Sequence, residues 1–215
     1  MTVKTQTTNN AIRLTTSVLG VYAGLLGIEH GFFELLQGNT VPTSLLIRAM
    51  GPPCQPETVW HACFPAMTLI PHMAATGLVA MFVGLSLVGW SLVFIQRKHG
   101  GLILIGLSVS LLFVGGGFVP MFIGVATGIA GAGIAAPLSR WRSLPAGVLQ
   151  FLTALWPWDL ILLLLWFSAS WLLGRFLPQT MMSIGPLLFF CFDLGLPLLA
   201  IFSAYAFDVT TDSPA

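Results

Sequence analysis

The stretch LGVYAGLLGIEHGFFELLQG, residues 19–38, decides the fold. It is long and apolar enough to cross a bilayer, yet it contains two carboxylates and a histidine. On a helix turning about 100° per residue, Gly20, Gly24, Gly27, Gly31, Glu34 and Gly38 fall on one narrow stripe. Small residues at that spacing let a second backbone approach closely. Glu34 lies on this seam, and His30 sits one turn before it, within reach at i,i+4. Glu29 points the other way, on a face shared with Tyr22, Leu25, Phe32 and Leu36. Ionisable groups at membrane depth face protein or a water-filled cavity, because lipid cannot solvate them. With a glycine seam on one side and a glutamate on the other, this helix is predicted to stand at the centre of a bundle.

Composition agrees. Of 215 residues 56% are hydrophobic and 7% charged, with a mean hydropathy of +0.93. A soluble domain carries about 25% charged residues, so this chain cannot coat a water-facing surface. The net charge of +1 gives no electrostatic basis for a nucleic-acid partner. Lys4 and Arg13 precede an apolar segment too long for a signal-peptide core, and no small-residue cleavage site follows. The first helix is therefore expected to be retained.

The chain reads as a single all-α transmembrane domain over 1–215. Residues 1–12 form a loose polar tail, and the first helix covers about 14–37. Residues 38–64 make a Pro-rich extracytoplasmic loop, with a short interfacial turn over 44–50. A second helix covers about 65–95 and ends in the basic run Gln96-Arg97-Lys98-His99, a cytoplasmic signal. Residues 101–136 are apolar but interrupted by Gly115-Gly116-Gly117-Phe118-Val119-Pro120, giving either one broken helix or a hairpin of two short ones. The hairpin puts Lys4, Arg13, Arg97, Lys98, Arg140 and Arg142 on one side, as the positive-inside tendency prefers. Residues 137–157, with Trp141 and Trp156, suit a cytoplasmic interfacial segment; further helices follow at about 159–174 and 183–207. The prediction is a polytopic integral membrane bundle of six transmembrane helices, or five if 101–136 is one broken helix. Both termini are then cytoplasmic, and the protein is multi-pass in a prokaryotic inner (plasma) membrane.

Candidate chemistry is sparse. In the last helix, Pro197 lacks an N–H and its ring opposes the carbonyl of Asp193, so a carboxylate and a freed carbonyl coincide at a kink. Broken helices of this kind bind ions and substrates in transporters. By rise per residue, Asp193, Glu29 and His30 reach comparable depth, with Glu34 and His72 nearer the outer end. These five residues form the candidate substrate- or ion-binding set. The outer loop contributes Cys54, His61 and Cys63. A Cys54–Cys63 disulfide is the first reading in an oxidising compartment. A metal site on Cys54, His61 and Cys63 is the sharper but less favoured alternative, since the spacing matches no standard ligand pattern. Catalytic HExxH, Walker A, dinucleotide-binding and GxSxG patterns are missing.

Three function classes remain. The first is a small-solute or proton- or ion-coupled permease, in which buried carboxylates and an imidazole exchange protons. The second is a redox or metal- or haem-dependent membrane enzyme using His and Cys ligands. The third is an accessory or assembly subunit. The partners expected are the lipid bilayer, a small solute or proton, and a second copy or another membrane subunit docked on the glycine seams.

Overall fold

The computed structural model describes residues 10–49, 64–134, 136 and 138–211. Helix α1 (Asn10–Leu35) is the axis on which the rest is assembled. It is about 39 Å long at 1.5 Å per residue, and most of the longer helices pack around it. Its glycine stripe meets α2 (Met73–Val93), which runs antiparallel to it. A Cβ added at Gly24 would stand 2.7 Å from the Gly84 carbonyl oxygen, and one at Gly31 the same distance from that of Gly77. The two backbones are thus in direct contact, as small residues one turn apart permit. The seam is filled from within the chain: Gly20 faces Ser91, and Gly27 faces Leu111.

Residues 101–136 resolve into the hairpin rather than the single broken helix. Helices α3 (Gly100–Phe113) and α4 (Phe118–Ala132) lie antiparallel, with Gly101 against Gly128 and Ala132, and Gly124 against Ser108. A four-residue turn, Val114–Gly117, joins them. Gly115 (φ +99°) and Gly117 (φ +85°) occupy backbone conformations that residues with a Cβ rarely adopt. Each arm spans only about 21–23 Å.

The expected second helix over 65–95 starts later, and the loop before it is not wholly irregular. Strands β1 (Leu46–Arg48) and β2 (Pro65–Met67) form a small antiparallel ribbon. It is tied to the hairpin turn by Leu69 N–H to the Phe113 carbonyl (3.0 Å) and Gly115 N–H to the Met67 carbonyl (2.8 Å). The Ala74 N–H donates to the Gly38 carbonyl (2.8 Å), joining the end of α1 to the start of α2. One end of the bundle, the ribbon end, therefore gathers the end of α1, the start of α2 and the α3–α4 turn. The Cys54, His61 and Cys63 readings, disulfide and metal alike, fall on residues outside those described.

The segment expected to lie at the interface contains a 3-10 turn (Leu138–Ser143) and a helix of its own, α5 (Ala146–Leu155), none of whose side chains is buried. Trp141 stacks on Tyr205 at 4.7 Å between ring centres, and the Trp156 indole donates to the Thr15 hydroxyl (3.1 Å). Helix α6 (Trp158–Phe176) then crosses toward the ribbon end. The short helices α7 (Pro178–Ser183) and α8 (Gly185–Leu188) turn the chain back into a π-helical turn (Phe189–Gly195) and α9 (Leu196–Thr211). Asp159, at the start of α6, accepts from the Ser203 hydroxyl of α9, so the two helices are joined by a buried polar contact.

The two described chain ends meet. Asp208 of α9 accepts the Ala11 and Ile12 backbone N–H groups at 3.0 and 2.9 Å. The first N–H groups of a helix have no intrahelical partner, and a carboxylate there also meets the positive end of the helix dipole. A residue 196 positions away thus caps α1. Replacing Asp208 with Ala is expected to cost about 2 kcal/mol, and Asp208→Asn less because one acceptor oxygen survives. Thermal denaturation in mild detergent measures both, and equal losses would contradict the capping role. Arg97 and Lys98 follow α2 at this same end, whereas Arg48 and Arg175 lie at the ribbon end.

Among the described residues four helical segments are long and apolar enough to cross a membrane: Asn10–Leu35, Met73–Val93, Trp158–Phe176 and Gly185–Thr211. An all-α bundle with large exposed apolar side chains, such as Phe82, Phe122, Leu165 and Phe176, is compatible with an integral membrane protein. The two hairpin helices fall short of a full crossing length.

Candidate functional site

The glycine stripe turns one side of α1 toward α2, so the opposite side, with Tyr22 and Glu29, faces α6 and the π-helical turn. That turn follows from Pro197. A ring without an N–H cannot continue the i→i−4 ladder, and the helix opens instead, with the Leu196 N–H donating to Cys191 five residues back. The widened turn carries Asp193 inward, where it is 5% exposed. Proline and carboxylate coincide as the sequence suggests; the result is a π turn rather than a bare kink.

Tyr22, Leu26, Glu29, His30, Val119, Pro120, Phe64 and Asp193 line one small, partly open pocket. It has room for about one water molecule. Both pocket carboxylates are held from α6. The Trp166 indole donates to Asp193 Oδ1 at 3.1 Å, and the Trp171 side chain hydrogen-bonds Glu29. Trp166 stacks on Phe192 (4.3 Å between centres) and Phe167 meets Tyr22 edge-on (5.4 Å), which fixes α6 over this side of α1. Val119 and Pro120 belong to the first turn of α4, whose N-cap, Gly117, offers no side-chain oxygen.

The five predicted residues divide. Glu29, His30 and Asp193 share the pocket. Glu34 does not: it is 0% exposed and lies beneath Gly115, where an added Cβ would overlap its carboxyl. His72 is exposed at the N-cap of α2, outside the pocket. His30, at 6% exposure, packs against Gly117, where an added Cβ would stand 2.6 Å from Nε2. Among the described residues, both oxygens of Glu34, Nδ1 of His30 and Oε2 of Glu29 are buried without a hydrogen-bond partner. Three His, Cys, Asp or Glu side chains close enough to hold a metal ion do not occur among them.

Sequence reasoning missed Trp166 and Trp171, both embedded in an apolar helix where a tryptophan reads as lipid-facing or interfacial. It also read Gly115 and Gly117 only as a helix interruption, not as the cover over Glu34 and His30. Two carboxyls, an imidazole and a phenol around space for one water can bind and exchange a proton. No family model matches the chain, and neither a curated protein nor a solved structure shows significant similarity to it.

Proposed function

We propose that the chain is a small-solute permease coupled to protons, with Glu29, His30 and Asp193 as its proton-binding groups and Tyr22 beside them. The observation that carries this reading is their convergence, from two distant segments, on one small pocket within an apolar bundle. Ionisable groups at such depth are costly to bury and in membrane proteins mark ion and proton pathways. A helix opened next to a carboxylate, and a second helix ending at the same place, match the way discontinuous helices build transporter sites. In this reading the hairpin makes up six crossings, the end where Asp208 meets the start of α1 is cytoplasmic, and the pocket opens toward the outer half of a prokaryotic plasma membrane.

Reconstitution tests it. Purified protein in sealed vesicles, with a trapped pH-sensitive dye, is expected to dissipate an imposed pH gradient faster than empty vesicles. Glu29→Gln should slow that dissipation at least about tenfold, since an amide neither takes up nor releases the proton. Wild-type vesicles indistinguishable from empty ones would sink the reading.

A further inference from the structure

We propose that His30 and Glu34 form a proton path from the pocket to the ribbon end of the bundle. This deepens the permease reading and rests on it. His30 lines the pocket, and Glu34 follows it by four residues on the same helix, about 5–6 Å between Cβ atoms. A carboxyl at 0% exposure with neither oxygen hydrogen-bonded is a costly thing to keep, and packing alone would be served by leucine. The hairpin turn is shaped around both groups. Gly117 leaves room for the imidazole and Gly115 for the carboxyl, each at a positive φ.

Beyond Glu34 lies Thr76, whose methyl also borders Gly115. Its hydroxyl shares a hydrogen bond with the Thr68 hydroxyl (2.9 Å), and the Ile70 N–H donates to Thr68 Oγ1 (3.0 Å). Pro71 and His72, which follow, are exposed. Thr76, with its methyl beside Gly115 and its hydroxyl on Thr68, thus follows Glu34 toward the exposed end. A proton leaves a pocket carboxyl for one nitrogen of the His30 ring, and the ring releases a proton from its other nitrogen to the Glu34 carboxylate. Glu34 releases it to water at the ribbon end beyond the threonines, and the ring resets by a flip that returns its N–H to the Glu34 side. The titratable groups facing His30 are Tyr22, Glu29 and Asp193 across the pocket and Glu34 along the helix.

Two measurements test the path. In the vesicle assay, His30→Gln and Glu34→Gln should each slow proton flux roughly 10²-fold, Glu34→Asp should recover part of it, and the double variant should be no slower than either. Flux in Glu34→Gln equal to wild type overturns the path and leaves the permease reading standing. Independently of transport, ¹⁵N-histidine NMR of the solubilised protein follows the His30 ring, assigned through His30→Gln. Its titration should move in Glu34→Gln if the two exchange protons, and an unmoved titration overturns the pair. Vesicles that carry no protons, together with a moved titration, would refute the permease and retain the proton-coupled pair.

Discussion

Gly77→Leu is expected to leave almost no folded protein. A Cβ at Gly77 would overlap the Gly31 carbonyl oxygen and stand 2.5 Å from the Leu35 amide nitrogen. These are backbone atoms of the facing helix, and no rotamer change removes them. The helices must separate, and the loss should exceed about 4 kcal/mol, a large fraction of the total stability of a typical domain. Gly77→Ala should already cost about 1–3 kcal/mol. Gly27 is the instructive contrast: the atoms in its way belong to the Leu111 side chain, which can turn aside. Gly89 and Gly106 have nothing within 4 Å, so alanine there should be neutral or stabilising by about 0.5–1 kcal/mol through helix propensity. Yield and monodispersity in mild detergent, followed by thermal unfolding, rank the series. Gly77→Leu behaving like Gly89→Ala would refute the seam.

Asp193→Asn is the complementary case, a loss of function with the fold retained. Asparagine keeps the shape and an acceptor oxygen for the Trp166 indole, so stability should change by less than about 1 kcal/mol. It cannot exchange a proton, and flux in the vesicle assay should fall roughly 10²-fold or more. Trp166→Phe should do the reverse: it removes the donor that orients Asp193, costing about 1–2 kcal/mol of stability while reducing flux less. If Asp193→Asn unfolds the protein and Trp166→Phe is silent, Asp193 is a packing residue and the pocket has no transport role.

Parts of this site were legible before any coordinates. A turn of about 100° per residue puts Glu29 and the glycine seam on opposite faces of α1, and the rise per residue puts Asp193 at a depth close to that of Glu29. Charge balance selects the hairpin over a single helix at 101–136. The same arithmetic groups Glu34 and His72 with the pocket, and there it goes astray. A helical wheel gives the direction a side chain leaves its axis, not the neighbour that meets it, and Glu34 meets the glycine turn of the α3–α4 hairpin. The ribbon escaped notice because strands of three residues have no readable period. Helix α5 was hidden in a segment whose basic and tryptophan residues already accounted for it.

The sequence by itself determined the apolar character of this chain, the close-packed seam of its first helix and the few ionisable groups set within its apolar helices. All of these follow from composition and from the fixed turn per residue, which are local quantities. Tertiary structure alone decided that Trp166 and Trp171 hold the two carboxylates, that Asp208 caps a helix 196 residues away, and that Gly115 and Gly117 cover Glu34 and His30. Those contacts join segments far apart in the chain. Their partners are chosen by how whole helices pack, and no local pattern encodes that choice.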